Sequence, residues 1–126
     1  MIPEGLYYTK DHEWLKIEGA EAVVGITDHA QSSLGDITFV ETPKVGKVVK
    51  PHASLAVVES VKAASDISAP VAGTVAVANE ALAKAPETIN LAPYGAGWIC
   101  RLKDFDTAGL KGLLTAEQYR QLLAPG

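Results

Sequence analysis

Lys62 is the residue of this sequence best placed to be chemically extended. It stands in Val57-Val58-Glu59-Ser60-Val61-Lys62-Ala63-Ala64-Ser65-Asp66-Ile67. An apolar run over residues 54–59 predicts a strand, a short glycine-free turn comes next, and a second strand leaves over residues 66–69. Val61 and Lys62 fall in the middle of that turn, flanked by the small residues Ser60, Ala63 and Ala64. A lysine at the tip of a tight hairpin has its stem in water and a rigid base beneath it. Such a group suits covalent extension and swinging between partners, although any exposed lysine can also be a plain solubility charge. A second constellation, Asp11-His12-Glu13-Trp14, has the residue types of a metal or acid–base cluster, and equally those of solvated residues at the start of a strand. His29 and His52 lie far from it in sequence, and no His/Cys spacing resembles a structural zinc site. Cys100 is the only cysteine. The polypeptide therefore has no internal disulfide and no two-thiol centre, and a strand cysteine reads as small core packing. Glycine-rich phosphate loops, nucleophile elbows and Ser-His-Asp signatures are missing, so the chain is poorly equipped as a free-standing enzyme.

The elements that must hold Lys62 carry an internal repeat. Pro43-Lys-Val-Gly-Lys-Val48 and Pro70-Val-Ala-Gly-Thr-Val75 place the same Pro-x-x-Gly-x-Val frame before and after the lysine. Proline presets the first turn dihedral, glycine supplies a permissive one, and β-branched residues resume the strand. Two such units around a displayed lysine predict a mainly β fold. The expected shape is a flattened, quasi-symmetric barrel or sandwich, similar to the barrel-sandwich hybrid of lipoyl and biotinyl carrier domains. Around it, residues 13–18 and 22–26 predict a hairpin turning at Gly19-Ala20. Residues 27–34 predict a short helix, with Gln31 three places after Asp28 as a capping pattern. Residues 36–41 predict a strand, and Asn79 reads as the cap of a helix over residues 80–85 that Pro86 ends. A turn-rich loop over residues 93–97 leads to a strand over residues 98–102. Asp106 caps a short turn of helix, and Thr115-Ala-Glu-Gln118 forms a capping box before an amphipathic helix lying on the β core.

With 126 residues, the span 1–126 reads as one domain. Hydrophobic content of 48% and charged content of 21% are ordinary for a globular protein, and the net charge of −4 argues against nucleic acid or an anionic membrane as partner. No apolar run approaches the length of a membrane span, and Met1-Ile-Pro-Glu-Gly5 has neither the basic flank nor the apolar stretch of a signal peptide. The expected location is cytoplasmic.

Five blocks together resemble the H proteins of the glycine cleavage system. They are Tyr8-Thr-Lys-Asp-His-Glu-Trp14, Val24-Gly-Ile-Thr-Asp-His-Ala-Gln31, Leu34-Gly-Asp-Ile37, residues 57–66, and Asn90-Leu-Ala-Pro-Tyr-Gly-Ala-Gly-Trp98. The resemblance runs from Tyr8 to the helix of Tyr119 in the family's order. Glu-Ser-Val-Lys-Ala-Ala is its most specific part: biotinyl domains centre on Met-Lys-Met, and lipoyl domains of 2-oxoacid dehydrogenases usually carry Asp before the lysine. Cys100 and Pro51-His52 depart from the family pattern, and neither touches the carrier block. The resemblance implies a non-catalytic shuttle with lipoate in amide linkage to Lys62. A pyridoxal-phosphate-dependent glycine decarboxylase would load its arm with an aminomethyl group. A tetrahydrofolate-dependent aminomethyltransferase would unload it, and an FAD- and NAD-dependent dihydrolipoamide dehydrogenase would reoxidise it. Glu59 and Gly73 resemble the positions that a lipoate-attaching enzyme needs. Glu13 and Asp66, with Asp11, would line a surface cleft for the loaded arm, where a carboxylate would hold the aminomethyl nitrogen as a cation. Three alternatives stay open: an H-like relay of lipoate to other lipoylated complexes, an enzyme using Lys62 as a Schiff-base nucleophile, and a structural interaction module.

Overall fold

The computed structural model describes residues 2–124; Met1, Pro125 and Gly126 lie outside the described residues. In chain order the elements are β1 (Tyr7–Tyr8), β2 (Glu13–Glu18), β3 (Glu21–Ile26), α1 (Asp28–Leu34), β4 (Ile37–Glu41), β5 (Val48–Val49) and β6 (Ser54–Ser60). They continue as β7 (Ala64–Ser68), β8 (Gly73–Ala78), α2 (Ala81–Lys84), α3 (Thr88–Leu91), β9 (Cys100–Lys103), a 3-10 helix (Thr107–Gly112) and α4 (Ala116–Leu123). Two antiparallel sheets result, one in the order β1-β2-β3-β9-β8-β5 and one in the order β4-β6-β7. Neither closes on itself, so the flattened sandwich, not the barrel, is what forms. The two Pro-x-x-Gly-x-Val frames find each other. Val48 pairs with Thr74 and Val49 with Gly73, while Gly46 N–H donates to Val75 O at 2.8 Å. Only the first glycine of the pair needs its freedom, since Gly46 has φ 93°.

The main core lies between the sheets, with Leu15, Val24, Val58, Val71, Val75, Ile99 and Leu102 fully enclosed. A second apolar cluster, Tyr8, Trp14, Val23, Ala116 and Tyr119, forms where α4 covers the outer face of β1–β3. Strand β3 and the first half of β2, Glu13 to Leu15, are thus buried on both faces. That is why Glu13, Trp14 and Leu15 are consecutively buried instead of alternating. Cys100 is buried in the core, and burial pushes its thiol up to about 12, as expected of a packing residue. No helix among the described residues is long and apolar enough to cross a membrane.

Three sequence expectations need correction. The cap of α1 is Thr27, whose Oγ1 accepts Ala30 N–H at 3.2 Å, while Gln31 Nε2 donates to Asp28 Oδ1 at 2.8 Å, so Asp28 and Gln31 do not form a capping box. Asn79 caps nothing: its buried amide donates to Ala96 O (3.0 Å) and Trp98 O (2.7 Å), stitching β8 to the 93–98 loop. α2 is capped at Glu80 without a side-chain bond, and α3, absent from the expectation, comes after Pro86. By contrast, the Thr115–Gln118 capping box forms in both directions. Thr115→Ala is expected to cost about 1 kcal/mol, read as a lower denaturant midpoint at unchanged m-value.

Candidate functional site

The Lys62 hairpin is made without glycine. Two-residue hairpins ordinarily need positive φ at the loop positions. Among the described non-glycine residues, however, only His12, His52 and Asp104 have it. Ser60 supplies the substitute: its Oγ accepts the N–H groups of both Lys62 and Ala63 at 3.2 Å, while Ser60 N–H donates to Ala63 O at 2.8 Å. A second segment braces the tip from outside, since Val61 N–H donates to Asp36 O at 3.1 Å. Lys62 is exposed, but its stem is not wholly in water. It runs over Gly35, where an added methyl would stand 3.4 Å from Lys62 Cε. Gly35 has φ 82° and ends α1, so the position favours glycine for its dihedral as well as for the space. The lysine therefore lies in a shallow cradle that a side chain at position 35 would fill, exposed and flanked along the chain by Ser60, Val61, Ala63 and Ala64. That cradle fits a lysine carrying an extended acyl arm.

The other expected residues divide between places. Glu59 is exposed on β6, paired with Ala64 and with Phe39, and so stands beside the tip. Gly73 lies in the other sheet, where an added Cβ would meet Leu102 Cβ and Lys103 O, both at 3.3 Å. Its demand for glycine comes from close packing of β8 on β9, and none of those neighbours belongs to the Lys62 hairpin. Glu13 is 3% exposed. Its Oε1 accepts Thr9 Oγ1–H at 2.7 Å, and its Oε2 accepts Ser68 N–H at 3.2 Å. Burial raises its pKa above the ordinary glutamate range, opposed by those two hydrogen bonds, and a nearby His52 favours the charged form.

Glu13 faces a cavity of about 420 Å³ that Asp11, His52, Ala69 and Leu114 also line. Asp66 lines a different groove, about 310 Å³, between α1 and β7, together with His12, His29, Leu34 and Ser65. Asp11 borders both. The expected single cleft is therefore two hollows meeting at Asp11, and the second of them opens beside the Lys62 hairpin. No group of three or more potential metal ligands occurs among the described residues.

Two contributors were given no role of their own by the sequence: His12, read only as part of the Asp11–Trp14 cluster, and Asn90. His12, which follows Asp11 and precedes Glu13 in the chain, sits at φ 69° and lines the Asp66 groove. Its Nδ1 lies 2.7 Å from Tyr119 Oη, which is itself 2.8 Å from Thr27 Oγ1. Burial, then His29, holds its imidazole below the usual range. Asn90 is the other: from α3 its side chain reaches Gly35 O, at 2.9 Å, beneath the Lys62 stem. Both belonged to blocks that carry the resemblance, which was the available signal.

The family model for the glycine cleavage H-protein matches residues 6–125. The chain belongs to the glycine cleavage H-protein family. Among its relatives, a glycine cleavage system H protein of Halorhodospira halophila is 53% identical over 124 residues, covering 98% of this chain and 95% of that one. One from Thermus thermophilus is 55% identical over 122 residues, covering 97% and 95%. A crystal structure of a glycine cleavage system H protein from Mycobacterium marinum superposes with a TM-score of 0.85 at 40% identity, covering 95% of this chain and 97% of that one.

Proposed function

We propose that this chain, residues 1–126 acting as one carrier domain, is the lipoyl carrier of the glycine cleavage system, with lipoate in amide linkage to Lys62. The observation that carries the reading is an exposed lysine at the tip of a glycine-free hairpin, its stem cradled on Gly35 and its base braced by Asp36. When attached, lipoate supplies the dithiolane that takes up and gives back a one-carbon unit and a pair of electrons. The chain itself does no catalysis. Its hairpin presents the arm, Glu59 offers a carboxylate beside the tip to the lipoate-attaching enzyme, and Gly73 keeps the packed base of the second frame low. Asp11 and Asp66 line the way from the hairpin to the Glu13 cavity. There the Glu13 carboxylate holds the amine of the one-carbon cargo protonated, which leaves the nitrogen no lone pair with which to expel the sulfur that carries it. The partners in this reading are glycine decarboxylase, aminomethyltransferase and dihydrolipoamide dehydrogenase, met in the cytoplasm and released on every cycle, so each docking is modest in affinity.

Intact mass tests it. Expressed with lipoate and an attaching enzyme, the native chain is expected to gain one lipoyl increment and Lys62→Arg none. A biotin increment, or no increment while the same enzyme modifies a known acceptor, would overturn the reading.

A further inference from the structure

The cradle of Lys62 is not self-supporting. The segment beneath the stem, Gly35-Asp36-Ile37, links α1 to β4, and its backbone groups there need partners from elsewhere. One side chain supplies them. Asn90, in α3, accepts Ile37 N–H on Oδ1 at 2.9 Å and donates from Nδ2 to Gly35 O at 2.9 Å and to Gln31 Oε1 at 2.8 Å. The carboxamide is the one short group that offers an acceptor and two donors at once, and all three are used. The segment so fixed meets the hairpin at three places: Ile37 pairs with Ser60, Asp36 O accepts Val61 N–H, and Gly35 lies under the Lys62 stem. The loop after α3 ties Asn90 down in turn. Pro93 O accepts Trp14 Nε1–H at 3.0 Å, and Gly97 N–H donates to Ala92 O at 2.8 Å.

We infer that Asn90 is a positioning residue for Lys62, acting through Gly35-Asp36-Ile37 to preset the hairpin tip for covalent attachment of the acyl arm. The inference rests on the reading of Lys62 as the attachment site. Its physical content is preorganisation. An attaching enzyme must bring one amine to one activated carboxyl carbon, and a tip already held in a single arrangement spares the ordering that a loose one would need. The Asn90-to-Trp98 stretch is thereby given a purpose at a site more than two dozen residues away in sequence.

Asn90→Asp tests the inference. Aspartate keeps an acceptor for Ile37 N–H but cannot donate to Gly35 O. Asn90→Ser, which adds no charge, is the second variant. Two quantities are read on the unmodified chain: hydrogen exchange at Val61 N–H, and kcat/KM of a lipoate-attaching enzyme acting on it. Exchange at Leu102 N–H, in the core of the other sheet, reports global folding separately. The expected result is exchange at Val61 faster by about tenfold with Leu102 unchanged, and kcat/KM lower by about tenfold, in both variants. Native-like exchange at Val61 and an unchanged kcat/KM would overturn the inference while leaving lipoylation of the native chain intact. Lipoylation absent from the native chain would bring down the reading of Lys62 and the inference with it.

Discussion

Glu13→Gln is expected to leave the fold at least as stable as the native chain at neutral pH, while the loaded carrier loses its one-carbon unit roughly two to thirty times faster. The two halves have separate causes. Glutamine is nearly isosteric, and its Oε1 can accept Ser68 N–H while its Nε2 donates to Thr9 Oγ1, so both buried contacts survive. What disappears is the charge. A hydrogen bond to a charged group is worth roughly 1.5–3 kcal/mol against about 1 kcal/mol for a neutral one, and each 1.36 kcal/mol is tenfold. The pH dependence has a definite sign. Burial raises the folded-state pKa of Glu13 above its unfolded value, so the native state takes up this proton at higher pH than the unfolded chain does. Its contribution to stability is therefore fully present below the unfolded pKa and is lost as pH rises through the folded one. The native chain should lose ground to Glu13→Gln as pH rises from acid to neutral, in paired urea titrations. Glu13→Ala behaves differently, because Ser68 N–H is left unpaired in a buried site at a cost of about 1–3 kcal/mol. Equal lifetimes of the loaded native and Glu13→Gln proteins would dispose of the role given to this carboxylate. A stability gap that does not vary with pH would contradict its burial as a charged group.

Which of these features could be read in the sequence depends on the range of the forces that make them. The Lys62 hairpin was legible because local chemistry makes it: β-branched strands, small residues and Ser60 within a few positions of one another. The second half of the cradle was not, because Gly35 and Asp36 reach the tip from 25 residues upstream or more, and Asn90 reaches them across 55 residues. Glu13 was expected at a surface cleft and is buried instead. Strand alternation puts a charged first residue in solvent, whereas both faces of the first half of β2 are covered here, one by the opposite sheet and one by α4. The bond from His12 to Tyr119 spans 107 residues and leaves no periodicity to detect. Asn79 shows the same limit from the other side. Its position before a short helix reads as a cap, but two carbonyls of the 93–98 loop offer a buried amide more than a helix of four residues could. The frames around Pro43 and Pro70 were legible as a repeat, yet their mutual pairing through β5 and β8 is a tertiary fact.

Gly97→Ala is expected to be among the most damaging small substitutions in the chain, costing about 3 kcal/mol, the upper part of the usual range for overpacking. A methyl there would stand 2.7 Å from Ala92 O, 2.9 Å from Ile89 Cα and 3.0 Å from Thr88 O. All three are backbone atoms of α3 and the residue after it, so no rotamer change relieves the clash. The helix itself has to move, and it carries Ile89, fully enclosed in the main core. Gly112→Ala is the control, because nothing lies within 4 Å of its added methyl and its φ is not left-handed; its effect should fall within about 0.5 kcal/mol. In thermal melts the first variant should drop by roughly 10 °C and the second should overlay the native curve. The same displacement reaches the functional end, since α3 holds Asn90 and Asn90 holds the Lys62 cradle. Gly97→Ala should therefore raise hydrogen exchange at Val61 N–H by a larger factor than at Leu102 N–H. A melting temperature matching that of Gly112→Ala would show that α3 yields cheaply, and the bracket it forms around Lys62 would then have to be softer than its hydrogen bonds indicate.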